Sequence, residues 1–267
     1  MIMKCAATLA LLLSFPSAAT AEFFDCVIIP AVTVQLGAPV SGLLDQVLVD
    51  QGDLVVAGQK VATLRSEVER TTLEVLVLQA ESRAEIEAQV SRLALAEKRL
   101  ARVQNMVERS IAPREGLDTA EAEVEVITRE LAIAEMRQKV AILELERARQ
   151  QITQREILSP VNGVVIVRHR YDGEFLPQDG YVVTIAQISP LIVEAFLPVS
   201  YYRSVEPGEV LRVLPDPPVG GDYNGIVNIV DRVFDAASGT FGIRVLLDNT
   251  DLSIPAGSRC QIELKIN

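Results

Sequence analysis

Apolar positions follow three rhythms along the chain. From Phe23 to Leu64 they come in short runs, Cys26 to Ile29, Val32 to Leu36, Val47 to Val49 and Val61 to Leu64, punctuated by Pro30, Pro39, Gly42, Gly52 and Gly58. Short apolar runs bounded by Gly and Pro predict strands joined by turns. At Arg65 the rhythm changes. Gly and Pro vanish until Pro113, and Glu, Ala, Arg, Gln and Leu, strong helix formers, take over. Ile86, Val90, Leu93, Ala96, Leu100, Val103 and Val107 recur in steps of three and four with one irregular step, a stammer. On the far side Leu117, Ala120, Val124, Ile127, Leu131, Ala134, Gln138, Ala141, Leu145, Ala148 and Ile152 alternate three and four without a break. That is a coiled-coil seam, and Gln138, its polar member, is a position of the kind that sets register at some cost in stability. Charges such as Glu121, Glu123, Glu125, Arg129 and Glu130 fall outside the seam and read as a solvated surface.

Pro113 and Gly116 are the only helix breakers between Gly58 and Pro160, and they lie midway between the two periodic stretches, with Ser110 and Asp118 nearby as caps. The chain is therefore expected to turn back there. At 1.5 Å per residue, two such antiparallel helices form a rod of roughly 60 Å, too long to lie inside a globule. After Arg155 the strand pattern resumes, with Gly163, Gly173, Gly180, Gly208, Gly225, Gly242 and Gly257 among the separators of Val164 to Val167, Val182 to Ile185, Ile226 to Val230 and Ile243 to Leu247. Evenly spaced short strands predict a barrel or sandwich.

The first residues read differently. Lys4 precedes an apolar run from Cys5 to Phe15, and Ala19-Thr20-Ala21 stands just before Glu22. This is the pattern of a secretory signal peptide over residues 1–21, cut after Ala21, with a retained N-terminal anchor as the alternative. Neither Cys5 nor Cys26 has the surroundings that lipidation needs. Removing that segment takes one lysine and no acid, which moves the net charge from −11 to −12. So acidic a surface excludes broad contact with nucleic acid or anionic lipid. No later apolar stretch approaches membrane-spanning length.

Two phrases repeat across the helical insert: Ala38-Pro39-Val40-Ser41-Gly42-Leu43 and Ser159-Pro160-Val161-Asn162-Gly163-Val164. Each is followed by a Gly turn, Gln51-Gly52-Asp53 in the first and Asp172-Gly173-Glu174 in the second. The pair resembles the two halves of a biotinyl/lipoyl carrier domain, but no lysine lies between Lys60 and Lys98, where a carrier would bear its modified residue. A lipoyl-like module split by an α-hairpin and followed by a β-barrel resembles the membrane-fusion, or periplasmic adaptor, family of tripartite efflux pumps. Ile157 to Val165 is similar to that family's re-entry strand, and Val205-Glu206-Pro207-Gly208-Glu209-Val210 to its barrel turn.

The resemblance implies a mixed α+β fold of several modules. Residues 22–37 would form an N-terminal barrel strand, 38–64 and 157–188 the lipoyl-like halves, 65–156 the coiled-coil hairpin with its tip near 109–117, and 189–267 the barrel. It implies docking of a TolC-type outer-membrane channel through Arg-x3-Leu-x6-Ser at the tip, to which Arg102, Met106 and Pro113 correspond in spacing; Pro113 departs from the pattern and lacks the hydroxyl. It also implies an inner-membrane transporter, with a resistance-nodulation-division antiporter placed ahead of an ABC exporter on the barrel phrases, and self-association into a ring, for instance a hexamer. Because this fold brings both chain ends into one barrel, a disulfide between Cys26 and Cys260 is expected ahead of two separate thiols. A pump-independent coiled-coil protein of the periplasm is the second reading.

Enzymatic chemistry finds no support. His169 is the only histidine, which leaves no imidazole pair for zinc, and it lies between Arg168 and Arg170 on a strand. After the leader only Met106 and Met136 remain, one per hairpin arm, so there is no soft-metal cluster. No phosphate loop is present. The expectation is a non-enzymatic protein without cofactor or metal.

Overall fold

The computed structural model describes residues 20–266, so the leader expected over 1–21 lies, up to residue 19, outside the described residues. The chain opens with a long strand, β1 (Thr20–Leu36), then β2 (Gly42–Val47), β3 (Leu54–Val55) and β4 (Lys60–Leu64). Three helices follow, α1 (Glu67–Glu81), α2 (Ala84–Glu108) and α3 (Arg114–Thr153). Then come β5 (Glu156–Leu158), β6 (Gly163–Arg168), β7 (Phe175–Leu176), a second long strand β8 (Val183–Pro198), a 3-10 turn, and β9 (Val210–Pro215), β10 (Tyr223–Val230), β11 (Thr240–Leu247) and β12 (Arg259–Ile266).

Six strands close a barrel in the order β1, β12, β9, β10, β11, β8, with β8 returning to pair with β1. Its core holds Ile28, Leu191, Val193, Leu197, Val213, Phe241, Ile243, Val245 and Ile262, all buried. Strands β1 and β8 do not stop at the barrel. Past a bulge between Pro30 and Val32, residues Val32–Leu36 pair with Val183–Gln187 and enter a second core around Leu44, Val61, Leu64, Ile157, Val165, Leu176 and Ile185. The strand expected from sequence to contribute to the barrel thus also enters the second module, since a bulge turns the strand without ending the pairing.

The hairpin arms meet along the predicted seam: on α3 every member from Leu117 to Ile152 is buried or half-buried, with Ala120, Ala134, Leu145 and Ala148 buried. The outgoing arm differs from expectation in two ways. It is not one helix but two, interrupted at Ser82, which is extended (ψ 120°), and Arg83. Continuing the spacing of Leu73 and Ala80 unbroken would drive Glu87 and Lys98 toward the seam; the interruption rephases the helix so that Ile86, Leu93 and Ala96 face inward. Inside α2 the inward residue is Gln89, while Val90 is 49% exposed, and with Gln89 in place the steps of three and four become regular. The irregular step read at Val90 was therefore a wrong choice of face. Gln138 stands opposite the interruption, and its Nε2 donates to the carbonyl of Ala80 at 3.4 Å, one of the acceptors that a helix end leaves open.

At the turn, Pro113 is extended (φ −72°, ψ 153°) just before α3, but Gly116 lies inside the first turn of the helix rather than breaking it. Neither Ser110 nor Asp118 caps α3. Ser110 instead adopts φ 58° after the end of α2, where its N–H reaches the Val107 carbonyl and that of Ile111 the Met106 carbonyl, 2.9 and 2.8 Å. This is the Schellman closure, normally given to Gly.

Candidate interaction surfaces

The tip is an Arg109–Pro113 loop bounded by two helix ends. Arg102, Met106 and Pro113 are all exposed there, Met106 at 40%. Arg102 and Met106 are four residues apart on one face of α2, and Pro113 begins the other arm. Ile111, 70% exposed, is the most prominent apolar group of the loop. Sequence reading passed over it, although an isolated Ile between a turn Ser and a Pro was visible in the string Ser110-Ile111-Ala112-Pro113.

At the base of the rod the two half-motifs interlock by exchange. β2 pairs with β7 and β3 with β6, so each half completes the other. The N–H of Gly52 donates to the Val165 carbonyl at 2.8 Å, and that of Gly173 to the Leu44 carbonyl at 2.9 Å; Val165 and Leu44 answer with their own N–H groups to Asp53 and Glu174, at 2.9 and 2.8 Å. Gly52 and Gly173 hold φ of 97° and 79°, a region open to Gly. Gly42 and Gly163 begin the strands. A Cβ on Gly163 would lie 2.3 Å from the Ala186 carbonyl oxygen of β8, and one on Gly42 would lie 2.9 Å from the Arg155 guanidinium.

Cys26 and Cys260 face each other in register across β1 and β12 and form a disulfide, with Cα atoms 4.9 Å apart. Close by, Tyr201 donates its hydroxyl to the Glu22 carboxylate, which pushes the Tyr201 phenol up, and Phe24 packs edge-on against the same ring with centroids 5.2 Å apart. On the outer face of the barrel Arg212 joins Asp222 and Glu263. Its hydrogen bonds and charge hold Asp222 below the usual carboxylate range. These groups tie strands together.

Among the described residues no group of three or more His, Cys, Asp and Glu is placed to hold a metal ion. His169 is engaged by the Thr184 hydroxyl at 2.8 Å. Among the described residues no helix is long and apolar enough to cross a membrane.

Comparison with known proteins agrees with this architecture. A family model for the CzcB-like barrel-sandwich hybrid domain matches residues 32–187, more than half of the chain. The macrolide export protein MacA of Yersinia pestis is 24% identical over 250 residues; the match takes in 87% of this chain and 64% of that protein's length, so the chain spans just under two thirds of the curated relative it matches. Among solved structures, MacA from Actinobacillus actinomycetemcomitans superposes with a TM-score of 0.78 at 19% identity, over 93% of this chain and 79% of that one. ZneB from Cupriavidus metallidurans gives 0.51 at 20%, over 94% and 72%. With a barrel-sandwich hybrid split by a helical hairpin and joined by two shared strands to a β-barrel, the chain belongs to the membrane-fusion protein family, its barrel-sandwich hybrid domain being CzcB-like.

Proposed function

We propose that this protein is the periplasmic adaptor of a tripartite export machine: it bridges an inner-membrane transporter to a TolC-type outer-membrane channel and moves no cargo by chemistry of its own. The observation that carries this reading is the rod itself. A hairpin whose returning helix alone runs 40 residues stands on two β-modules, and its far end exposes Arg102, Met106 and Ile111. A guanidinium suits acceptors in a channel's helical grooves, and the two apolar side chains supply contact area. Pro113 offers no hydroxyl at the position where the resembling motif has one.

The transporter is proposed to be of the resistance-nodulation-division type ahead of an ABC exporter, a reading that rests on the barrel phrases, with the cargo chosen by the transporter. Copies of the adaptor gather into a ring on these partners, in the periplasm, after export. The test is retention of the purified outer-membrane channel on the immobilised mature chain. Arg102→Glu combined with Met106→Asp is expected to lower retention by about tenfold while leaving helicity unchanged. Unaltered retention would contradict tip docking.

A further inference from the structure

The tip carries a group open to chemical modification. Among the described residues Cys26 and Cys260 are joined in a disulfide, so the reduced sulfur there resides in two thioethers, Met106 and Met136. Both are exposed, Met106 at 40% and Met136 at 58%. A thioether has no proton to lose before it reacts, so access to the oxidant governs its oxidation.

The two differ in what surrounds them. Met136 stands in the middle of α3, roughly 33 Å along the helix from Arg114 at 1.5 Å per residue. Met106 lies in the last turn of α2, where its carbonyl accepts the N–H groups of Ile111 and Ala112 at 2.8 and 3.3 Å and so ties the loop to this residue. Arg102 precedes it by four residues on the same helix face, and Arg109 begins the loop three residues after it. Where the resembling Arg-x3-Leu-x6-Ser pattern has Leu, a side chain with no oxidisable sulfur, this chain has Met. That exchange keeps the apolar contact, since Met and Leu are close in volume, and adds a sulfur that an oxidant can reach.

We propose that Met106 is a reversible oxidation site through which peroxide releases the rod's tip from its channel. The inference rests on the proposed tip docking and names its regulation. In the reaction the thioether attacks hydrogen peroxide: an S–O bond forms, the O–O bond breaks, and the sulfur gives up two electrons. The departing hydroxide takes the proton of the transferred oxygen and leaves as water. The product acts twice at this position. It puts a polar S=O where docking needs an apolar surface, and a polar group buried without a partner is costly. It also sets a strong acceptor one helical turn from the Arg102 guanidinium, which then donates within the tip instead of to the channel. At Met136, far from the tip, the same reaction does neither. Methionine sulfoxide reductases restore the thioether, and docking returns with it.

The experiment uses the immobilised mature chain and the purified outer-membrane channel. The chain is treated with hydrogen peroxide, catalase removes the peroxide before the channel is added, and peptide mass spectrometry scores sulfoxide at each methionine. Retention is expected to fall by about tenfold as Met106 is oxidised, and to return after treatment with reductases for both sulfoxide epimers. Met136→Leu leaves retention and its response to peroxide unchanged. Met106→Leu abolishes the response: whatever its untreated retention, peroxide does not alter it. Helicity by circular dichroism is expected to survive oxidation. Full retention with Met106 oxidised, a fall that comes with lost helicity, a response that persists in Met106→Leu, or Met106 left intact while Met136 is oxidised each overturns the switch alone. If the untreated chain fails to hold the channel, the docking reading falls and the switch falls with it.

Discussion

Gly163 stands where β6 passes so close to β8 that a methyl group would meet the Ala186 carbonyl oxygen, and no rotamer relieves a clash between Cβ and backbone. Gly52 faces open space and needs Gly only for its φ of 97°. Gly163→Ala is therefore expected to destabilise the protein by about 2–4 kcal/mol and Gly52→Ala by about 1 kcal/mol in urea denaturation. Equal losses would refute the distinction. The repeat made all four glycines visible in the sequence, because the two phrases align. It could not separate their reasons, since the crowding at Gly163 comes from a strand more than twenty residues downstream. Asn249 was not legible at all. It is buried, its Oδ1 accepts from the Ile254 N–H at 3.0 Å and its Nδ2 donates to the Ile188 carbonyl at 2.8 Å, yet Asp248-Asn249-Thr250 reads from sequence as an ordinary turn.

The helices show where periodicity suffices and where it misleads. The α3 seam was readable because eleven positions vote for one phase, and errors at single residues cannot shift it. The α2 seam had fewer votes, and choosing apolar Val90 over polar Gln89 imported a stammer that the chain does not have. The interruption at Ser82 and Arg83 left no Gly or Pro as a signal, although after it Ile86, Leu93 and Ala96 rather than Glu87 and Lys98 face inward. Gln89 now holds a buried Oε1 with no hydrogen-bond partner, and an orphaned acceptor costs free energy. Gln89→Leu should remove that cost and add apolar area to the seam, raising stability by about 1–2 kcal/mol in thermal or urea melts followed at 222 nm. A loss of stability would mean that Gln89 is not in the seam. Between the β-modules the sequence placed the boundary at residue 37, where β1 ends, whereas the strand passes from one core to the other at the Pro30/Val32 bulge, because a bulged strand keeps its apolar alternation on both sides of the bend.

At the scale of the whole molecule, the first and last described strands are neighbours, and the Cys26–Cys260 bond closes a loop over a sequence separation of 234 residues. Joining such distant points restricts the unfolded chain strongly, so Cys26→Ala with Cys260→Ala is expected to lower stability by about 2–5 kcal/mol. The loss should appear in the barrel transition, and a tip-docking readout on the folded variant should be unchanged. The order of modules was legible because each has its own sequence grammar, and the site was legible only as far as the family motif reached. Ile111 was missed, since a residue's prominence depends on the turn that presents it.

The central claim, that the rod's far end engages an outer-membrane channel, is tested most directly by placing a photo-crosslinking residue at Ile111 in the full exported chain and identifying by mass spectrometry what it captures in the intact envelope. The account predicts a covalent adduct with a TolC-type outer-membrane channel, lost when Arg102→Glu is added. An adduct with a water-soluble periplasmic protein, or no adduct from a well-expressed and folded chain, would contradict it.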